Sequence, residues 1–457
     1  MNFKSRIIIG CLLGVCTLQV SAEKTYKYRI NLRDKAETAY SVGSPQAYLS
    51  ERALERRERQ GLKVDETDLP VCRTYIDAII GKGASVVTKS KWNNTVVVEV
   101  VDTALIEQIA RLPFVTKTKK VWTSPDSIPA RNPERRKEVT NKFSKTDNYY
   151  GQAYRQIAVH RGDSLHAAGF KGEGMQIAVI DAGFYNADEM KFFKKMHLLG
   201  IRDFVNPQSD IYAENYHGMK VLSCLAANQP DVLVGTAPEA SYWLLRSEDD
   251  DTEQPVEEDY WAAALEFADS VGVDVVNTSL GYYEFDDKTC NYRYRDLDGH
   301  YSLMSHSASM AADKGLVVVC SAGNSGRGTW KKLTPPGDAE NVITVGAMDK
   351  NLVNADFSSV GNTADGRVKP DVMAVGVSSA VAGNDGTVSR ANGTSFASPT
   401  FCGLVACFWQ ACPWLTAKEV IEAVRRSADR ADAPDNIYGY GVSNIWKAYQ
   451  TELKKRK

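Results

Sequence analysis

Apolar and polar positions change rhythm several times along the chain, and each rhythm predicts an element. Thr25 to Leu32 alternates polar and apolar residues, the period of a half-buried strand. A charged helical stretch runs from Tyr48 to Gln60. Asn94–Val100 reads as a strand, Ala104–Leu112 as a helix, and a further strand opens at Phe114-Val115. That order predicts a small α+β unit. Farther along, the apolar runs Met175–Ile180, Val273–Thr278 and Gly315–Cys320 have the length of buried strands and alternate with helical segments. They predict a doubly wound α/β domain with a mainly parallel sheet covered on both faces. Its active crevice would lie at the carboxyl ends of the strands.

Polar residues stand at those ends. Met175–Ile180 closes in Asp181-Ala182-Gly183, and Gly315–Cys320 closes in Ser321-Ala322-Gly323-Asn324. His217-Gly218 opens a run of small and apolar residues suited to a helix. Asn392-Gly393-Thr394-Ser395-Phe396-Ala397-Ser398-Pro399 places Ser395 in the first turn of another, where unpaired backbone N–H groups and the helix dipole favour negative charge. A serine attacking a carbonyl needs that environment. Each residue also has a plain structural reading: Ser395 as an N-cap, Asp181 as a strand terminator, His217 as a surface histidine, Asn324 as a turn residue. Together they offer an orienting carboxylate, a base, an oxyanion donor and a nucleophile.

From Tyr149 to Tyr449 the chain resembles the subtilisin-like serine proteases, the subtilases. The resemblance rests on Asp181-Ala182-Gly183, His217-Gly218, Ser279-Leu280-Gly281, Ala322-Gly323-Asn324 and Gly393–Pro399, supported by Gly235–Ala240, Asn341–Ala347 and Lys369–Val372. The order Asp…His…Ser is that of subtilisin itself. The resemblance implies a serine endopeptidase with Ser395 as nucleophile, His217 as base, Asp181 as its orienting partner, and the Asn324 side chain with the Ser395 N–H as oxyanion hole. It implies that Ser279, Leu280 and Gly281, with Ala322 and Gly323, hold substrate backbone as an added strand. Ala182 and Met219 depart from the family pattern, standing where many relatives carry hydroxyl residues. A noncatalytic or weakly active peptide-binding protein on the same fold is the alternative.

The resemblance also suggests an organisation: a signal peptide over residues 1–22, a ferredoxin-like prodomain over 23–125, a linker over 126–148, the catalytic domain over 149–450 and a charged tail over 451–457. Lys4 and Arg6 before a short apolar run, and Val20-Ser21-Ala22 after it, form a secretory signal. The run is too short to span a bilayer. A lipobox-like Ile8-Ile9-Gly10-Cys11 is also present, but the apolar stretch before it is very short for a lipoprotein signal, so the signal peptide is expected to deliver the protein to the medium, the periplasm or the cell surface. Arg131–Lys137 in the linker is a processing candidate. The prodomain is expected to act as an intramolecular inhibitor, the partners to be polypeptide substrates, and the protein to be a monomer.

The 457 residues leave room for more than one domain, and a net charge of −2 gives no electrostatic case for nucleic acid. Nine cysteines are too sparse for a disulfide scaffold and show no zinc spacing. No cofactor is expected. The acidic run Glu248–Glu253, followed by Glu257, Glu258 and Asp259, leaves three readings open: a structural calcium, a preference for basic substrates, or a solvated loop with acidic residues at a helix start.

Overall fold

A computed structural model describes residues 23–126, 136 and 138–456. The signal segment and most of the Arg131–Lys137 processing candidate lie outside the described residues. The amino-terminal unit contains β1 (Tyr26–Leu32), α1 (Glu51–Arg59), α2 (Arg73–Ile80), β2 (Ser85–Ser90), β3 (Thr95–Val100), α3 (Ala104–Ala110) and β4 (Val115–Thr123). Its four strands pair in the order β2-β3-β1-β4, antiparallel at each contact, which is the ferredoxin-like arrangement. Ile30, Val96 and Val98 point to the side of the sheet where Ile76, Ile79, Ile106 and Ile109 of α2 and α3 pack. Two of these elements, α2 and β2, go beyond the expected strand-helix-strand-helix-strand order.

Two short helices, α4 (Tyr154–Ala158) and α5 (Gly162–Ala167), lead into the larger unit. It continues with β5 (Gln176–Asp181), β6 (His197–Asp203), α6 (His217–Ala226), the small hairpin β7 (Asn228–Gln229) and β8 (Leu233–Val234), and β9 (Ser241–Arg246). Then come α7 (Val256–Val271), β10 (Val275–Thr278), α8 (Leu303–Ala311), β11 (Val317–Ser321), β12 (Val342–Met348) and β13 (Val372–Val375). The hairpin β14 (Ser379–Ala382) and β15 (Val388–Ala391) precedes α9 (Thr394–Ala411), α10 (Ala417–Ser427) and α11 (Ile445–Arg456). Seven strands form one parallel sheet in the order β13-β12-β11-β10-β5-β9-β6.

Alternation within these strands divides the core. Ile177, Val179, Val275, Val317 and Val319 face α6 and α9, while Ala178, Ile180, Val276 and Val318 face α7 and α8. Both faces are therefore apolar, which is why the strands read as continuous hydrophobic runs. From β5 the chain moves outward to β6 and β9, then crosses back to β10 on the other side. That reversal opens a crevice above the carboxyl ends of β5 and β10.

The small unit lies on α7. Val97, Val121 and Trp92 pack against Tyr260, Ala263 and Ala264. The Glu266 carboxylate accepts hydrogen bonds from the Ser90 hydroxyl (2.5 Å) and from the backbone N–H groups of Lys91 (2.7 Å) and Trp92 (3.0 Å), tying down the β2–β3 turn. Arg29 donates to both oxygens of Asp259, at 2.6 and 2.7 Å. Asp269 receives Arg56 at 2.6 Å, Arg57 at 3.0 Å and Lys91 at 3.1 Å. The three cationic groups hold its carboxyl well below the usual range, although burial alone would raise it. The acidic residues expected at a helix start do open α7, and they are buried there, where Glu258 and Asp259 meet the Arg29 guanidinium.

Candidate active site

Asp181 is the last residue of β5 and fully buried. One carboxylate oxygen, Oδ1, accepts from its neighbour's backbone N–H (Ala182, 2.8 Å) and from His217 Nδ1 (2.7 Å). Oδ2 is buried without a hydrogen-bond partner among the described residues. Ala182 supplies no hydroxyl beside it, and Met219 is fully buried in the core beneath α6.

His217 opens α6, and Asn215 Oδ1 accepts from its backbone N–H at 2.6 Å. Gly218 explains how the imidazole reaches Asp181. A Cβ at that position would lie 2.3 Å from the Gly183 carbonyl oxygen and 2.8 Å from the Asp181 Cβ, so only glycine lets the helix start sit on the strand end. Burial alone would lower the His217 pKa. The charge and hydrogen bond of Asp181 outweigh it, and Glu248 and Asp250 add to the effect, so the imidazole is held above its ordinary range.

Ser395 lies in the first turn of α9, 7% exposed. Its hydroxyl donates to the Ser279 carbonyl at 3.4 Å, and the Ser279 hydroxyl donates to the Ser395 carbonyl at 2.9 Å. Pro399 makes the second bond possible: it has no N–H to bond the carbonyl four residues back, so that carbonyl is left for Ser279. Phe396, next to the serine, has its ring 6.0 Å from the His217 ring, centroid to centroid.

Asn324 follows β11, with Gly323 before it at a positive φ of 100°. The Asn324 Oδ1 accepts from both the backbone N–H and the hydroxyl of Thr394, each at 2.9 Å. With the carbonyl oxygen so tied, the amide Nδ2 is left as a donor beside the start of α9. Ser279, Leu280 and Gly281 continue from β10 and line a cleft of about 370 Å³ with Ala182 and His217. Ala322, just past β11, is fully buried, and Gly323 after it is half-buried. Among the described residues no group of three or more His, Cys, Asp or Glu side chains is arranged to hold a metal, and the seven described cysteines are free thiols.

The acidic run Glu248–Glu253, for which a preference for basic substrates was one of three readings, reaches the site, although no single residue of it was assigned to the cleft. Glu248 and Glu253 line the cleft beside His217, and so does Tyr282. The signal for Glu248 was its place just past the end of β9, where a parallel strand delivers residues to the crevice. Gln254 was also missed. Its side chain accepts from the Thr123 N–H at 2.8 Å and donates to the Thr123 carbonyl at 3.0 Å, bringing the end of β4 to the mouth of the cleft.

An acid–histidine pair, a serine at a helix start and a cleft at a switch point define a serine hydrolase of α/β architecture. The chain belongs to the subtilase family, whose model matches residues 172–441. A peptidase S8 propeptide domain of Bacteroidota matches residues 27–147. Subtilisin DY of Bacillus licheniformis is 31% identical over 301 residues, covering 64% of this chain and 97% of that protein. Serine protease AprX of Bacillus subtilis is 30% identical over 323 residues, 60% of this chain and 65% of that protein. Subtilisin NAT of Bacillus subtilis subsp. natto is 28% identical over 297 residues, 64% of this chain and 70% of that protein. The chain is a serine-type endopeptidase with a propeptide domain.

Proposed function

We propose that the chain is a secreted, self-processing zymogen that cleaves peptide bonds through Asp181, His217 and Ser395. The observation that carries this reading is the 2.7 Å bond from His217 Nδ1 to the buried Asp181 carboxylate. That bond fixes the imidazole tautomer with its proton on Nδ1 and leaves Nε2 as the base.

In the first step, the Ser395 hydroxyl turns from the Ser279 carbonyl toward His217. Its oxygen attacks the scissile carbonyl carbon as its proton passes to Nε2. The Asn324 Nδ2 and the Ser395 backbone N–H donate to the developing oxyanion. His217 then gives the proton to the leaving amine nitrogen as the C–N bond breaks, and the acyl group stays on Ser395. Water repeats the sequence: His217 takes its proton, the hydroxide adds to the acyl carbon, and the Ser395 oxygen leaves with the proton returned. Asp181 stabilises the imidazolium in both steps.

The small unit serves as the inhibitor and folding aid of its own protease. Supporting this are the buried ion pairs at α7 and the Thr123–Gln254 bonds, which hold the end of β4 next to Glu253 of the cleft. The amino-terminal segment would export the protein to the periplasm, cell surface or medium, where it would work as a monomer without a cofactor. Labelling with a fluorophosphonate tests the site. The reading expects one modified residue, Ser395, and no labelling in Ser395→Ala. A label elsewhere, or none in the processed protein, contradicts it.

A further inference from the structure

Asp181 stands beside a second charged group, which the hydrolytic steps do not use. In the parallel register of β5, β9 and β6, Asp181, Arg246 and Asp203 are neighbours at the carboxyl ends of three adjacent strands. Arg246 is 2% exposed, and its guanidinium reaches three separate pieces of the chain. Nε donates to the Ala182 carbonyl at 2.9 Å, Nη1 donates to Asp203 Oδ2 at 2.9 Å, and Nη2 lies 3.4 Å from Glu214 Oε2.

The first contact bears on Asp181. The Ala182 N–H holds Asp181 Oδ1, and Arg246 fixes the peptide that follows by its carbonyl. Residue 182 brings no hydroxyl, and Oδ2 is unpaired among the described residues, so the orientation of the carboxylate rests on that backbone. The third contact bears on His217. Glu214 precedes Asn215, whose side chain accepts from the His217 N–H. Both residues lie against the same strand end: a Cβ on Gly183 would fall 2.7 Å from the Glu214 Cβ and 2.5 Å from the Asn215 nitrogen. The second contact anchors the guanidinium. Asp203 Oδ1 accepts from the N–H groups of Val205 and Asn206, both at 2.8 Å, and Oδ2 also accepts from the Ser209 hydroxyl at 2.5 Å.

A buried ion pair is a weak source of stability. This one joins, through one planar group, the strand end that carries Asp181 and the loop that delivers His217. The Nε and the two ends of the fork point to three acceptors at once, which the single ammonium of a lysine does not reproduce. Arg246 does not line the cleft.

We infer that Arg246 is a positioning residue of the protease: it holds the Asp181 strand end and the His217 loop at the spacing of their hydrogen bond, and so governs turnover instead of peptide binding. The inference rests on the triad reading of the site.

The test compares wild type, Arg246→Lys and Glu214→Gln as processed enzymes on one neutral quenched peptide. A variant that does not process itself is cut by a trace of tagged wild type, which is then removed. Fluorophosphonate titration counts the working sites, so that kcat is expressed per site and loss of folded protein cancels. Arg246→Lys should lower kcat by about tenfold or more, with little change in KM. Glu214→Gln should lower kcat less and in the same sense. A pH profile adds a readout that lost stability alone would not move. Burial lowers the His217 pKa and the Asp181 charge and hydrogen bond outweigh it, with Glu248 and Asp250 contributing. Arg246→Lys keeps its own charge and leaves those carboxylates in place, so a looser Asp181–His217 bond should move the acid limb of kcat/KM to lower pH. The inference is overturned if Arg246→Lys lowers only Tm, if KM rises in place of a fall in kcat, or if the acid limb stays put while the wild type labels and cleaves. Should Arg246→Lys not fold, Glu214→Gln decides by the same split between kcat and KM. If the wild type neither labels nor cleaves, the triad reading falls as well.

Discussion

Asp181 carries the most exposed weakness of the site, and it is a matter of single atoms. One oxygen is fully engaged by the Ala182 N–H and His217, while the other is buried and unpaired among the described residues. The departure at Ala182 was visible in the sequence. Weaker support of Asp181 was the consequence to expect, and the unpaired Oδ2 is the atom at which it falls. Asn324 was legible as a strand-end amide, yet only the bonds from Thr394 show which end of the amide is spent. Asn324→Ala should therefore lower kcat by about 10²–10³ with little change in KM, measured on a neutral quenched peptide. The base sets the pH dependence. As the proposed base His217 works neutral, and the net effect of Asp181, Glu248 and Asp250 raises its pKa, so the acid limb of kcat/KM should have its midpoint above about 6.5. Asp181→Asn removes the charge that favours the imidazolium most, and in the residual activity the midpoint should move to lower pH. A midpoint that stays put or rises would contradict the assigned electrostatics.

At the scale of elements, what the sequence hid was mostly what lies between units. The parallel strands were readable because both faces are buried, which leaves long apolar runs. α2 was obscured by its length and by Cys72, which provides no side-chain cap to mark its start. β2 was obscured by its exposed polar residues and by the register shift between Val86 and Thr88. The acidic start of α7 was readable as a helix start, but its burial was not, because its partner, Arg29, lies more than two hundred residues earlier. The charged stretch around α1 was seen as a helix, but not as the source of Arg56 and Arg57, two buried guanidinium groups. Those groups give the interface a vulnerable centre. Asp269→Asn leaves Arg56 and Arg57 with reduced compensation, and breaking such a buried pair costs roughly 3–5 kcal/mol. Thermal unfolding of the full chain, carried in a Ser395→Ala background to keep it uncut, should show a clearly lowered Tm. An unchanged Tm would mean that the pairs contribute little to holding the two units together.

For the whole molecule, the small unit and the cleft beside the Asp181–His217 pair are joined through α7. The ferredoxin-like sheet rests on α7, α7 follows the loop that carries the cleft acids, and β4 ends at Gln254 beside Glu253. The site residues were readable early because strand and helix ends concentrate chemistry at the switch point of a parallel sheet. The contact of the propeptide unit with the region of the cleft was not readable, since it depends on side chains meeting across a distance the chain does not reveal. The most direct measurement compares wild type and Ser395→Ala, each incubated with denatured casein and followed by intact-mass spectrometry. The account predicts that the wild type loses its amino-terminal unit and digests the casein, while Ser395→Ala stays full length and leaves casein intact. If the two proteins behave alike, Ser395 is not the working nucleophile and the central claim is wrong.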